Sequence, residues 1–341
     1  MSVIVPAFNE EDRLVGMLEE AVNYLEHEYG LPSEKADTPP KQNETSIRRR
    51  PNPQTDINGH VPEPTSPSKP ATDPQRGWEI LIVDDGSTDS TSQTALTFAR
   101  THQLNPRPRR TSGPWTPHHS NDQATTIPPG SIRLIKLKSN RGKGGAVTHG
   151  MRHARGAYIA FADADGASKF DDLGRLVSAC QKLQGQDHDN KNTLNDAPTP
   201  SEKQHPPNPA IAIGSRAHLV NSTAVVQRSR LRNLLMHTFH LLLRLLTPPA
   251  TASIRDTQCG FKLFSRASLP HIIPHMHCEG WIFDVEMLML AEFARVPVAE
   301  VAVGWREVEG SKLNVVWDSV GMAVGLAVLR VCWAVGVYRR D

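Results

Sequence analysis

Four short, mostly apolar runs recur along the chain: Ser2–Val5, Glu79–Val83, Ile132–Leu137 and Ala157–Ala162. Each has the length of a buried strand, and periodicity places helices after the first three, near Glu10–Tyr24, Asp89–Arg100 and Gly144–Ala154. A βαβα alternation of this kind points to an α/β fold with a mostly parallel, doubly wound sheet. Further on come a helix near Leu173–Leu183, a strand Ala210–Gly214 and a long helix near Val226–Leu246. A strand Phe261–Phe264, a helix near Asp284–Arg295, a strand Val298–Val303 and an apolar C-terminal segment follow. Asn9 ahead of Glu10, Glu11 and Asp12 predicts an N-cap with an acidic first turn, and Leu14, Leu18, Ala21, Val22 and Leu25 share one helical face.

Proline separates this frame from the rest. Twenty of the 27 prolines lie in 31–76, 103–130 and 184–208, polar stretches too poor in apolar residues to offset their ordering entropy. They are expected to be disordered surface insertions in one α/β domain spanning 1–305, with 306–341 as a separate C-terminal segment. A net charge of +2 gives no case for nucleic acid, and four widely spaced cysteines indicate neither a disulfide framework nor a zinc site. No signal peptide is visible, since Met1 runs at once into the strand-like SVIVP.

Strands of a doubly wound sheet gather ligands at their carboxyl ends. Three polar clusters fall there: Pro6-Ala7-Phe8-Asn9-Glu10, Asp84-Asp85-Gly86-Ser87 and Asp163-Ala164-Asp165-Gly166. One acidic strand end is an ordinary turn, and Asp84 and Asp85 also suit a turn with a cap at Ser87 or Asp89; three together suit a ligand crevice. Asp163 and Asp165 supply hard oxygen ligands for Mg²⁺ or Mn²⁺, which commonly brings a diphosphate with it. Asn140-Arg141-Gly142-Lys143-Gly144-Gly145 opens a helix with glycines and two cations, an anion-binding arrangement whose spacing excludes both a P-loop and a dinucleotide fingerprint. A flexible turn with solvated cations is the competing reading of that stretch.

PAFNEE, VDDGSTDST, NRGKGGA, FADADGA, IGSRAHL, RDTQCGFKLF, WIFDVEML and EVEGSKL occur in this order. Together they resemble the GT-A (Rossmann-like) family 2 glycosyltransferases that charge polyprenyl phosphates, and are most similar to the eukaryotic dolichyl-phosphate β-glucosyltransferase branch. The resemblance implies UDP-glucose as donor, dolichyl phosphate as acceptor, a divalent ion and inversion at the anomeric carbon, in protein N-glycosylation. Pro6, Phe8, Glu10, Val83 and Asp85 would border the nucleotide, with Lys143 and Ala164 also in the donor site. Asp163 would face ribose and metal, and Asp165 would be the principal metal ligand. Arg216 and Lys262 would grip phosphate, with a structural salt bridge as the rival reading for Arg216. A phosphate monoester has a second pKa of about 6, so the acceptor is already largely ionised; Asp256 is then expected to orient cations rather than abstract a proton. Asp284 and Glu286 read as helix-start acids, and Cys259 as structural. The resemblance leaves two alternatives: a GDP-mannose-dependent mannosyltransferase, and an inactive membrane-surface protein that binds nucleotide sugar.

On the helix at 226–246, Arg230, Asn233, His237, His240 and Arg244 form a polar stripe against a leucine-rich remainder. An interfacial membrane helix fits this pattern, with a core helix carrying one wet face as the alternative. Val315–Val337 is apolar except for Asp318 and Arg330, charges that disfavour spanning and suit a membrane-embedded or surface-lying helix. Enzymes of this branch carry a transmembrane anchor just before the first strand, which is not seen here; either the chain is truncated or its helices suffice for attachment. The implied place of action is the endoplasmic reticulum membrane, with the active site facing the cytoplasm.

Overall fold

The computed structural model describes residues 1–30, 77–104, 127–189, 207–219, 230–308 and 315–339. In chain order its elements are β1 (Ser2–Ala7), α1 (Leu14–Tyr29), β2 (Glu79–Asp84), α2 (Thr91–Leu104), β3 (Ile132–Lys136), α3 (Lys143–His153), β4 (Tyr158–Ala162) and α4 (Leu173–Asp189). After these come β5 (Ile211–Ser215), α5 (Arg230–Leu246), α6 (Pro249–Ser253), β6 (Phe261–Ser265), α7 (Phe283–Phe293), β7 (Val298–Ala302) and α8 (Val315–Ala334). The strands form one sheet in the order β3-β2-β1-β4-β6-β5-β7.

Strand alternation builds a core on each face of the sheet. Val3 and Val5, Ile80 and Ile82, and Ala160 and Ala162 face the helices α1, α2 and α4. The intervening Ile4, Leu81, Val83, Ile159 and Phe161 face α3 and α7. With both faces covered, each strand reads as a continuous apolar run, which is why the sequence signal is strong here. A third cluster, Leu243, Ile282, Val285, Met289, Leu326 and Leu329, packs α5 and α8 against α7.

The expected α/β architecture with a mostly parallel sheet is present, with one antiparallel strand and one local expectation corrected. β6 runs antiparallel to both β4 and β5, so its N-terminal end, not its C-terminal end, reaches the ligand edge. The first helix begins at Leu14 with Arg13 at the N-cap position, and no acid lies in its first turn. Asn9 instead adopts a left-handed φ of 55° and spends its side-chain oxygen on the Thr88 N–H at 2.8 Å, tying β1 to the turn after β2.

The proline-rich insertion 31–76 lies outside the described residues, as do 105–126 and 190–206 of the other two. At their edges helix continues through Leu104 and Asp189, where disorder was expected. Residues 226–229 and the side chains of Arg230, Asn233 and His237 also lie outside the description, so only the later part of the α5 stripe is visible. There His240 Nε2 meets the Arg255 carbonyl at 3.3 Å, Arg244 is exposed, and Leu243 is buried against α7 and α8.

Candidate active site

The carboxyl ends of β1, β2 and β4 meet at one edge of the sheet. Asp84 accepts the Ser87 N–H at 2.8 Å and the Ser92 hydroxyl, so it is a buried turn-and-helix anchor. Asp89 accepts the Thr91 N–H at 2.9 Å, as a cap at the start of α2 would. Asp85 does something different: its Oδ1 accepts the Arg141 N–H at 2.8 Å, joining the second strand end to the glycine-rich turn. Burial raises its carboxyl above the ordinary aspartate value, and the Arg141 and Gly142 N–H groups oppose that rise. Pro6 is half-buried, Phe8 lies open at the edge, and Glu10 is held in a fork by Arg13 at 2.7 Å on each oxygen. Val83 is fully buried beneath α3 and its strand is paired on both sides, so it supports the crevice and does not line it, contrary to expectation.

Asp163 and Asp165 leave the end of β4 on either side of the buried Ala164. Asp165 accepts the Ala167 N–H at 2.9 Å; burial and the neighbouring Asp163 charge raise its carboxyl, opposed by Lys143 and Arg13. Gly260, just ahead of β6, accepts the Asp163 N–H at 3.2 Å, and a Cβ there would overlap the Asp163 carboxylate. That missing methyl group makes the space in which the carboxylate sits. Among the described residues no cluster of three or more acids, histidines or cysteines is placed to hold a metal by itself. Two adjacent carboxylates nevertheless fit a Mg²⁺-type ion that takes its remaining ligands from phosphate and water.

The glycine-rich turn is closed from above. Gly142 has φ 83°, and a Cβ on it would come within 2.6 Å of the Glu279 carbonyl; that same carbonyl accepts the Gly145 N–H at 3.1 Å. The start of α3 is therefore partly spent on protein, and Lys143 follows directly from the turn. Lys143 Nζ lies 5.9 Å from the centre of the Trp281 ring and 2.5 Å from Asp163 Oδ1. Burial would lower its ammonium, but Asp163 and Asp284 outweigh this and hold it raised. The covering segment is clamped by Glu286, whose buried carboxylate accepts the N–H groups of His277 at 2.9 Å and Cys278 at 2.6 Å. His277 stacks on Tyr338 just beyond α8, with ring centres 3.7 Å apart.

Arg216 grips Asp256 through Nε at 2.7 Å and Nη2 at 2.9 Å, and its own N–H adds a third bond at 2.9 Å. Burial would raise Asp256, but this fork takes it below its ordinary value. The guanidinium also lies 5.8 Å from the Trp305 ring centre. Asp256 thus orients a cation, as expected, and Arg216 is committed to that pair.

Lys262 lies at the edge-side end of β6 but is buried beneath the site. It pairs with Phe161 in the register of β4 and β6 and has no exposed surface; its ammonium bonds the Cys259 carbonyl at 2.7 Å and Asp284. The expectation that it grips phosphate is opposed by this pairing: its ammonium is spent on Asp284 and the Cys259 carbonyl, and the side chain is fully buried. Asp284 and Glu286 do not cap α7; one neutralises Lys262 and the other holds the loop. Sequence reasoning took Asp284 for a helix-start acid and missed Trp281 and Gly260. For Asp284 a signal was present, since an acid within the apolar Trp281–Leu290 stretch has to be paired.

With this geometry in hand, likeness to known proteins is informative. The Glycosyl transferase family 2 model matches residues 116–191. The dolichyl-phosphate β-glucosyltransferase of Saccharomyces cerevisiae is 37% identical over 340 residues, covering 99% of this chain and 76% of that protein. The chain belongs to the dolichyl-phosphate β-glucosyltransferase family. The Homo sapiens member is 34% identical over 341 residues, all of this chain and 78% of its own length, and the Dictyostelium discoideum member 35% over 339, covering 99% and 76%. Among solved structures, Mycobacterium tuberculosis glucosyl-3-phosphoglycerate synthase, crystallised with Mn²⁺, UDP-glucose and phosphoglyceric acid, superposes with a TM-score of 0.51 at 13% identity, covering 96% of this chain and 78% of that one. That likeness supports the GT-A fold. For a member of the dolichyl-phosphate β-glucosyltransferases, the acids and cations at the sheet edge are the candidate donor site.

Proposed function

We propose that the chain transfers glucose from UDP-glucose to dolichyl phosphate with inversion, giving dolichyl β-D-glucosyl phosphate for protein N-glycosylation. The observation that carries this reading is identity of 34–37% across essentially the whole chain to relatives bearing that activity in their names. The sheet edge supplies the parts such a transfer requires. Asp163 and Asp165 would hold Mg²⁺ or Mn²⁺, which neutralises charge on the departing diphosphate. Lys143 stands beside them as a fixed cation for the same charge. Pro6, Phe8, Glu10 and Asp85 line the side of the edge suited to the nucleotide base and ribose. Arg216, braced by Asp256 through Nε and Nη2, would have only its remaining N–H groups to offer a phosphate. The acceptor's oxygen is already ionised near pH 7, so attack proceeds without a protein base.

The reading extends to the membrane of the endoplasmic reticulum, with the site facing the cytoplasm. Among the described residues no helix is long and apolar enough to cross a membrane. α8 and the residue that follows it instead turn a row of valines outwards, Val320, Val324, Val328, Val331 and Val335, each 47–66% exposed, and α5 adds Leu241 and Leu245. Spacings of three and four put the valines on one helical face, which suits a helix lying in the headgroup region next to a lipid acceptor.

Incubation of purified protein with labelled UDP-glucose, dolichyl phosphate and Mn²⁺ or Mg²⁺ tests the assignment. Lipid-linked glucose of β configuration is expected. No such product, or equal transfer from GDP-mannose, refutes it.

A further inference from the structure

Lys143 Nζ lies 2.5 Å from Asp163 Oδ1, on the carboxylate that the proposed function gives to the metal. A divalent ion of Mg²⁺ type bonds a carboxylate oxygen at about 2.0–2.1 Å, so ion and ammonium would compete for the charge on that oxygen. The backbone of the lysine is fixed at both ends of the turn, which keeps its ammonium within side-chain reach of Asp163. Gly142 fits beneath the Glu279 carbonyl only for want of a side chain, and Gly144 packs against Phe283 with no room for a Cβ. Nor does the nearest buried acid draw the ammonium off, since Asp284 is taken by Lys262.

We propose that Lys143 is a cation gate: in the free protein its ammonium holds Asp163 in place of the metal, so a divalent ion enters only together with a nucleoside diphosphate. The proposal rests on the metal–diphosphate reading of the site given above. Charge explains the order of events. With Lys143 in place, the pair of aspartates carries one net negative charge, and a bare divalent ion would leave the site positive. A diphosphate arriving with the metal restores negative charge and offers the displaced ammonium a new anionic partner within reach. The released lysine then lies beside the group that departs as UDP.

Mn²⁺ binding, read by the paramagnetic resonance signal of the free ion, tests this without turnover. Wild type, Lys143→Met, Lys143→Gln and Lys143→Arg are each titrated with and without UDP. Without UDP, the methionine and glutamine variants are expected to bind Mn²⁺ at least about tenfold more tightly than wild type, and the arginine variant to stay near wild type. With UDP the difference shrinks, because diphosphate draws the ammonium away. Glutamine serves as the second uncharged variant if methionine disturbs the turn. Uncharged variants that bind Mn²⁺ no better than wild type without UDP, while all four bind it with UDP, overturn the gate and leave the metal reading standing. Absence of Mn²⁺ binding in all four with UDP overturns the metal reading, and the gate with it.

Discussion

Lys262 and Asp284 form a buried ion pair between β6 and α7, and the Cys259 carbonyl takes a further ammonium proton at 2.7 Å. Breaking a buried pair from one side leaves an uncompensated charge. Lys262→Met is therefore expected to cost about 3–5 kcal/mol in urea unfolding, and Lys262→Met combined with Asp284→Leu to recover most of that loss. If the single variant keeps full stability and loses only affinity for the donor, Lys262 is a phosphate ligand after all.

Gly260 is the residue whose side chain would occupy the place of the Asp163 carboxylate. Gly260→Ala pushes a metal-side carboxylate aside while the strand behind it keeps its core contacts. A displacement of about 1 Å at a reacting centre costs on the order of 100-fold. Glucosyl transfer is expected to fall by about that factor, with a far smaller change in melting temperature. Equal activity in the alanine variant would place the working position of Asp163 elsewhere.

The sheet was legible because both of its faces are covered, so that strands such as Val3–Val5 and Ile80–Val83 read as unbroken apolar runs. Asp163, Asp165 and Asp85 were legible as acids at strand ends. The direction of β6 was not: antiparallel pairing depends on where the chain re-enters the sheet, and five residues of FKLFS carry no sign of it. That left the closeness of Gly260 to the end of β4 unread, and the burial of Lys262 was hidden because its partner Asp284 lies 22 residues further on. Asn9 misled for a related reason, since an Asn before three acids is a good cap locally, but the turn after β2 offered its side chain a better partner.

Glu20 gives a pH dependence of definite sign. It is buried on α1 and accepts the Phe170 N–H at 2.9 Å, yet burial lifts its carboxyl to about 7. Because the folded value lies above the unfolded one, the native state binds the extra proton between the ordinary glutamate value and about pH 7. Stability should fall as pH rises through that window, by up to about 3 kcal/mol. Glu20→Gln keeps an oxygen for the Phe170 N–H and removes the titration. Denaturation between pH 5 and 8 should then show a shallower decline than wild type. Parallel curves for the two proteins would rule Glu20 out as the source.

The valine row of α8 carries the membrane reading and can be tested apart from chemistry. The inward positions of this helix are Leu326 and Leu329, which anchor α8 on α7, so Val324 and Val331 can be changed without touching that cluster. Burying one valine is worth about 1.5–3 kcal/mol, and an aspartate in its place adds a desolvation cost. Val324→Asp and Val331→Asp are each expected to weaken sedimentation with lipid vesicles by at least about tenfold, while far-ultraviolet dichroism stays unchanged. Turnover of detergent-dispersed acceptor should survive, because neither residue belongs to the donor edge. If vesicle binding persists in both variants, the exposed face of α8 is not the surface that meets the lipid.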